Sequence, residues 1–319
     1  MTTQKWQSNA KLAVLQARAK LLQQIRQFFD ERQVLEVETP TLSRSAVPEP
    51  MIEPLSTQYH GIYADTFYLQ TSPELPMKRL LASGSGSIYQ MCTVFRDEEY
   101  GRLHNPEFRL LEWYRVGFDH HDLMDEMDAL LQQVLVCQPA TKITYIGLFQ
   151  QYLQLHPLTE PLQNLRQQVQ TALSINAQDF DRDTCLQCLL SEKIEKKLGQ
   201  DAPLFVYDYP ATQASLAQKS PNNPELAERF ELYIQGIEIA NGFHELTDAS
   251  EQRQRFEQEQ QQRKANQQQV MPLDEYFLQA LEAGLPPCAG VALGIDRLLM
   301  LKLGFDQLQS VLSFSVEQV

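Results

Sequence analysis

"FRDEEYGRLHNPEFRLLEWYRVGF", residues 95–118, decides how the chain is read. Arg96, Asp97, Glu98, Glu99, Arg102, Glu107, Arg109, Glu112 and Arg115 crowd into it, yet it lies among strand-like apolar text, with "SIYQMCTVF" directly before. Charges of both signs are costly to bury without partners. The segment reads as a hairpin, one strand near 88–98 and the other near 107–118. By strand parity Val94, Arg96 and Glu98 share a face, and Phe108, Leu110, Glu112 and Tyr114 share another. If these faces coincide, they form a floor of an arginine, two acids, a phenylalanine and a tyrosine. Such a floor suits a ligand with a phosphate, a planar ring and an ammonium group. Guanidinium matches phosphate with forked donors, an aromatic face stacks on a base, and a carboxylate pairs with an amine. The alternative is an exposed hairpin face with ordinary cross-strand ion pairs.

Outward from the hairpin, "CAGVALGIDRLLMLKLG" (288–304) reads as a strand, a glycine at 294 and an amphipathic helix closed by Gly304. Arg297 falls in the first helical turn, and a helix N-terminus beside an arginine favours an anion. "ERFELYIQGIEIANGFHEL" (228–246) reads as two strands around a turn at Gln235-Gly236. Glu231 and Glu238 approach each other across that turn, a hard-ligand setting for Mg²⁺ beside phosphate oxygens. Glu245 has the wrong parity to join Glu238 unless a bulge, expected at Asn241-Gly242, turns both to one site. A solvated sheet face is the plainer reading of these acids. "FYLQTSPELPMKRLLASG" (67–84) runs from a strand through a turn into a helix, with Ser72 at the N-cap and Pro73 first in the helix. Residues 9–33 form an amphipathic helix on Leu12, Leu15, Ala19, Leu22, Ile25 and Phe29. "VLEVETPTL" (34–42) alternates like a strand, and 43–66 reads as loop with short strands.

Composition narrows the classes. The chain has 319 residues, 43% of them apolar, and a formal charge of −14. A general nucleic-acid binder needs a basic face, so bulk charge argues against tRNA or DNA as main partner. No apolar run is long enough for a membrane helix, and the N-terminal text is charged rather than signal-like. The expected setting is the cytoplasm, with no membrane partner. Five cysteines do not suggest a disulfide framework. Cys185 and Cys188 make a CxxC, but within a helical pattern and with no nearby histidine, so packing is the expected role. The Gln-rich stretch 251–269 reads as a solvated helix. One continuous domain over 1–319 is expected, with a helical insertion at about 119–200.

"VLEVETPTL", "FRDEE…HNPEFRLLEWY" and "GVALGIDR" resemble, in order, the three signature motifs of class II aminoacyl-tRNA synthetases. "TSPELPMKRLL" and "ERFELYIQGIEIANGFHEL" resemble the lysyl-tRNA synthetase branch, and the likeness runs from about residue 12 to the end. The resemblance implies an α+β catalytic domain, an antiparallel sheet flanked by helices. The first motif starts at residue 34, so the β-barrel that grips the anticodon in lysyl-tRNA synthetases is not expected. Those enzymes usually carry glycine where this chain has Ala292. Both departures are similar to the stand-alone family that attaches (R)-β-lysine to a lysine of translation elongation factor P.

That resemblance implies roles. Arg96 and Arg297 would be the catalytic pair, Arg96 on the α-phosphate and the amino-acid carboxylate, Arg297 on the adenine and the γ-phosphate of a bent ATP. Glu98 and Asn105 would hold the adenine end, Phe108 would stack on it, and His104 would touch the pyrophosphate. Asp97, Ile239 and Gly294 would complete the ATP-binding set. Glu231 and Glu238 would bind Mg²⁺, with Glu238 also in the ATP set. Ser72, Pro73, Glu74, Glu112 and Asn241 would line the amino-acid end, Tyr114 and Glu245 would take the distal amine, and Ala292 would tune the choice between lysine and (R)-β-lysine. Pro40 would shape a homodimer interface. The rival readings are a shortened lysyl-tRNA synthetase that charges tRNA and a non-catalytic regulatory paralogue. The ligase reading requires Arg96 and Arg297 to reach one common ligand.

Overall fold

A computed structural model describes residues 6–62 and 65–319. From the N-terminus come α1 (Leu12–Asp30), β1 (Leu35–Glu36), β2 (Leu42–Ser43), β3 (Ser56–Tyr59), β4 (Asp65–Leu69), α2 (Glu74–Ala82), β5 (Ile88–Phe95) and β6 (Glu107–Val116). Then follow α3 (His120–Val134), β7 (Thr141–Thr144), α4 (Tyr145–Leu153), α5 (Leu162–Leu173), α6 (Arg182–Leu189), β8 (Leu204–Pro210), β9 (Leu226–Ile234) and β10 (Ile237–His244). The last are α7 (Ala249–Ala265), α8 (Glu275–Gly284), β11 (Cys288–Gly294) and α9 (Ile295–Lys302). The class is α+β. By internal contacts the chain divides into two compact units, Met1–Gly117 with Thr247–Val319, and Phe118–Leu246.

In the first unit β5 and β6 form the antiparallel hairpin, with Val94 opposite Phe108, Gln90 opposite Glu112 and Ile88 opposite Tyr114. β11 lies antiparallel along the other edge of β6, Ala292 opposite Glu112 and Gly290 opposite Tyr114. The hairpin strands stop sooner than the sequence suggests. Past Phe95 the Arg96 amide still bonds to Pro106 O (2.9 Å), but the Asp97 amide turns away to Glu53 O (2.8 Å) and Glu98 takes a left-handed φ of 61°. Parity therefore fails there, and Glu98 does not join Arg96 on one face.

Three other local expectations need correction. "VLEVETPTL" yields only the two-residue strands β1 and β2, β1 parallel to β5; Pro40 between them has no amide for a ladder. In α1 the buried stripe is Val14, Leu21, Ile25, Phe28 and Phe29, whereas Leu12 is exposed. The aromatic pair sets that rotation: Phe29 stacks on Tyr89 at 4.4 Å and meets Trp113 edge-on at 5.4 Å. Burying one such ring stabilises by roughly 1.5–3 kcal/mol, more than intrinsic helix preference decides. In α2, Pro73 is the N-cap residue and Glu74 the first helical one, while Ser72 Oγ accepts from the Glu74 amide at 3.0 Å.

The second unit carries β10, β9, β8 and β7 in that order. β9 and β10 pair antiparallel around the expected turn, where Gln235 and Gly236 both have positive φ (52° and 73°). A Cβ on Gly236 would also stand 2.9 Å from Lys196 Cα, so both conformation and space call for glycine. α4, α5 and α6 cover an apolar core with Tyr145, Phe149, Leu165 and Leu186 at its centre. Cys185 lies in that core and Cys188 packs against it, both thiols pushed up in pKa by burial, so the CxxC is packing. Among the described residues, no helix is long and apolar enough to cross a membrane.

α7 departs from the sequence reading. Gln252, Phe256 and Arg263 on it are buried. Arg263 is fully buried and donates to Gln269 O, Glu49 O, Ile52 O and the Glu53 carboxylate. Glutamine-rich text hides this face, because Phe256 is the lone apolar member among Gln252, Phe256 and Arg263.

Candidate active site

Five side chains of the first unit gather at the end of the hairpin. The Arg96 guanidinium lies 5.1 Å from the centre of the Phe108 ring. Arg297, from the first turn of α9, places Nη2 2.8 Å from His104 Nε2, and its Nε donates to Leu103 O at 3.3 Å. Glu99 links the two sides: its carboxylate is 3.6 Å from Arg96 Nη1 and 3.7 Å from His104 Nε2. Both arginines thus flank one histidine on one surface. Burial first, then the neighbouring Arg297, holds the His104 imidazole below its ordinary pKa. At neutral pH it is uncharged and accepts from Arg297.

The sequence reading overlooked Glu99, which meets Arg96 where Glu98 was expected. Glu98 is exposed, and Asp97 is spent on its own turn, accepting from the Glu98 amide at 2.8 Å. Asn105 is buried and engaged at both ends, donating to Glu107 O (2.7 Å) and accepting from the Val316 amide (3.1 Å). Gly294 has an ordinary φ of −74°, so its conformation does not demand glycine. Arg297 is held in place by the residue before it. Asp296, buried, pairs with Arg18 of α1 at 2.6 Å and accepts from the Arg109 amide of β6 at 2.7 Å.

A second group lies deeper on the same sheet. Glu112 is 2% exposed; it accepts from Ser72 Oγ at 2.7 Å and from the Tyr114 hydroxyl at 3.3 Å. The Ala292 methyl stands across the strand pair from it. Glu74, at the start of α2, is clamped by the buried Lys78 at 2.6 Å. Burial, with the Glu74 charge second, raises the Glu112 pKa from 4.5 to about 8. Gln90, opposite Glu112, is buried with its Oε1 lacking a hydrogen-bond partner among the described residues. Lys78 and Gln90 were both missed from sequence, since neither stands out in strand or helix text.

The raised pKa has a consequence for binding. Near pH 7 the ligand-free Glu112 carboxyl is mostly protonated; an ammonium group beside it favours the carboxylate, so binding releases a proton. If an amine such as lysine binds here, calorimetry in buffers of different ionisation enthalpy should show release approaching one proton at pH 6–7 and fading above pH 8–9. A flat profile would remove Glu112 from the amine's surroundings. The same shift makes the ligand-free protein lose stability as pH rises from about 4.5 through about 8, because the folded state binds the proton more tightly than the unfolded one.

The remaining candidates form their own group in the second unit. Glu231 lies opposite Asn241, and Tyr233 opposite Glu238, with the ladder shifting between Glu238 and Ala240. The expected bulge exists, but three residues earlier than Asn241-Gly242. It puts Glu238, Asn241 and Glu245 on one parity, the face that carries Glu231. Glu231 accepts from the Tyr209 and Tyr233 hydroxyls (2.6 Å each) and from Arg229 Nη2 (2.5 Å). Arg229 also donates to Asn241 Oδ1 at 3.2 Å and lies over the Tyr209 ring at 4.7 Å. Burial, then the Glu231 charge, pushes the Tyr209 hydroxyl well above its ordinary pKa. Glu238 is exposed, Ile239 is 3% exposed and Glu245 1% exposed. Arg229 and Tyr209 escaped notice because their role is to hold Glu231.

Chemically, one group offers two cations and a ring face for an anion with an aromatic part, and the other a buried acid for an amine. The family described as tRNA synthetases class II (D, K and N) matches residues 3–318. A Vibrio cholerae serotype O1 protein named elongation factor P–(R)-β-lysine ligase is 52% identical over 319 residues, covering 98% of each chain. Proteins of the same name from Vibrio atlanticus (51%, 97% of each chain) and Salmonella gallinarum (49%, 99% of each chain) are similar over the same extent. With its motifs, α+β fold and end-to-end likeness taken together, this chain belongs to the class II tRNA synthetase family, on the branch of the elongation factor P–(R)-β-lysine ligases.

Proposed function

We propose that the protein uses ATP to activate (R)-β-lysine and transfers the acyl group to a lysine side chain of translation elongation factor P. The carrying observation is the pairing of Arg96 and Arg297 around His104, above a half-buried Phe108 and next to the protonatable Glu112. The substrate carboxylate attacks the α-phosphorus, the bond to the β-phosphate breaks, and pyrophosphate leaves with that electron pair. The acceptor amine then attacks the acyl carbonyl, AMP departs, and the amine proton passes to solvent. No side chain serves as nucleophile. Catalysis is alignment plus neutralisation of charge.

Arg96 lies with Phe108 and so holds the α-phosphate where the plane of the base is fixed; Arg297 takes the outer phosphates with His104. The carboxyl oxygens of Glu231 and Glu238 are the hard donors that suit Mg²⁺. A carboxylate has about four lone-pair sites; three donors occupy Glu231, which leaves it a single site for a metal, and Glu238 would supply the rest. Mg²⁺, when bound, neutralises phosphate charge. Exposed Leu35 and Leu42 flank Pro40 and support a homodimer through this segment, which sedimentation velocity would register. A cytoplasmic setting fits a translation factor as partner.

Ala292 lies opposite Glu112 across the strand pair, which supports a role for its methyl beside the substrate's amino group. The methyl disfavours an α-amino group and suits the shifted amine of (R)-β-lysine. Ala292→Gly should therefore raise kcat/KM for α-lysine relative to (R)-β-lysine by roughly tenfold, the usual worth of one methyl in a fitted pocket. An unchanged ratio would place the discrimination elsewhere.

Mass spectrometry of elongation factor P after incubation with this protein, ATP and (R)-β-lysine tests the whole reading. The expected result is one added β-lysyl mass on one lysine. Charging of tRNA instead would make the protein a lysyl-tRNA synthetase, and absence of ATP–pyrophosphate exchange with any amino acid would make it a non-catalytic paralogue.

A further inference from the structure

Behind the sheet face that bears Glu231 and Asn241, three metal-ligating side chains of the second unit converge. Strand alternation puts Glu228 and His244 on the face opposite Glu231, and α3 packs against β9 and β10, bringing His120 from its first turn. Ligand atoms of His120, Glu228 and His244 all lie within 4.8 Å of one another. The site is well covered: His120 is 4% exposed, and the Glu228 and His244 side chains are 12% and 19% exposed.

Hydrogen bonding alone does not settle this cluster. His244 Nδ1 stands 2.6 Å from Glu228 Oε2 and 2.7 Å from Gln218 Nε2, while Gln218 Nε2 is 2.6 Å from the same Glu228 oxygen. An imidazole nitrogen has one hydrogen-bonding direction, either a proton or a lone pair. If Nδ1 carries the proton for Glu228, it faces the Gln218 amide N–H; if it accepts from Gln218, its lone pair faces the carboxylate. One close contact of the three is always unsatisfied. Both ring nitrogens of the buried His120 also lack a hydrogen bond among the described residues, although Nε2 comes within 3.3 Å of Asp208 Oδ1. Asp208 reaches it from a ladder irregularity in β8, with φ at 59°.

We propose that His120, Glu228 and His244 form a binding site for a divalent transition-metal ion of the zinc class. Two imidazoles and a carboxylate select such ions over Mg²⁺ or Ca²⁺, which prefer all-oxygen shells. Ligand atoms around a tetrahedral zinc stand roughly 3.3 Å apart, given bonds of about 2.0–2.1 Å. Small side-chain rotations bring the cluster to that spacing, and lengthening the Glu228–His244 contact relieves the crowding at Nδ1. Asp208 orients the His120 ring as an outer-shell carboxylate. The ion ties the start of α3 to β9 and β10, so its role is to hold the unit together rather than to act on substrate.

The test uses the full chain stripped of metal by chelation. Titration with Co²⁺ should give visible d–d bands that saturate at one equivalent and vanish when Zn²⁺ is added, and Zn²⁺ should raise Tm with increasing free concentration. Glu228→Gln keeps the shape of the side chain but removes its charge, and should weaken Co²⁺ and Zn²⁺ binding at least about tenfold while metal-free melting stays cooperative. His120→Asn gives the same readout from α3 if the first variant folds poorly. Absence of binding by the wild-type chain would overturn the proposal. So would binding left intact in both variants, which would move the ion to the cysteines or the acidic face.

Discussion

Arg96→Ala should slow adenylate formation by roughly 10²–10³-fold, the usual loss when one preorganised donor to a charged transition state is removed. In the proposed reaction negative charge builds on the phosphate oxygens as the carboxylate attacks, and Arg96 would be in position before that happens. Its backbone is pinned by the Pro106 carbonyl and its guanidinium rests against the Phe108 ring. Arg96→Lys should recover only part of the rate, because an ammonium lacks the planar fork. ATP–pyrophosphate exchange measures the step directly, and KM for ATP should rise less than kcat falls. Exchange within threefold of wild type would take Arg96 out of the reacting centre.

Arg263→Ala should cost about 3–5 kcal/mol of stability, the scale for removing one partner of a buried ionic network. The side chain is fully buried and its donors satisfy three carbonyls and the Glu53 carboxylate. Truncation takes the guanidinium from these four acceptors, among them a Glu53 carboxylate that is 26% exposed, and leaves a cavity where the fully buried side chain stood. Urea unfolding should show a lower midpoint at an unchanged slope, and a shift worth under about 1 kcal/mol would mean that water replaces the guanidinium. The damage should reach catalysis too. The Glu53 carbonyl that receives the Asp97 amide sits in the loop Arg263 holds, one residue from Arg96.

The three signature stretches were readable because their chemistry is local: charges in strand text, and a glycine between a strand and an arginine-bearing helix. The hairpin partners, the Gln235-Gly236 turn and the α9 start all follow from alternation and turn chemistry. Reading failed where a distant backbone atom decides. Glu99, not Glu98, meets Arg96, because the Asp97 amide bonds to Glu53 more than forty residues away. Arg263 reads as solvated in the sequence because three of its four acceptors are backbone carbonyls, which carry no sequence signal. The bulge that Glu245 needs was inferred from a parity mismatch, yet only the ladder shift between Glu238 and Ala240 fixes its position. His120, Glu228 and His244 are too widely spaced for any motif to join them.

The Asp296 contacts give α1 a stake in the proposed grip on nucleotide, although that helix contributes no side chain to it. Arg18 reaches both the Asp296 carboxylate and the Val311 carbonyl, and Asp296 precedes Arg297 in the chain. Loosening α1, by warming or by exchanging Arg18 for a shorter side chain, should therefore let Arg297, the arginine proposed for the outer phosphates, wander while the sheet stays folded. Hydrogen exchange would register this as early deuteration at the start of α9, and tolerance to mutation along α1 is accordingly set by the reaction as much as by the fold.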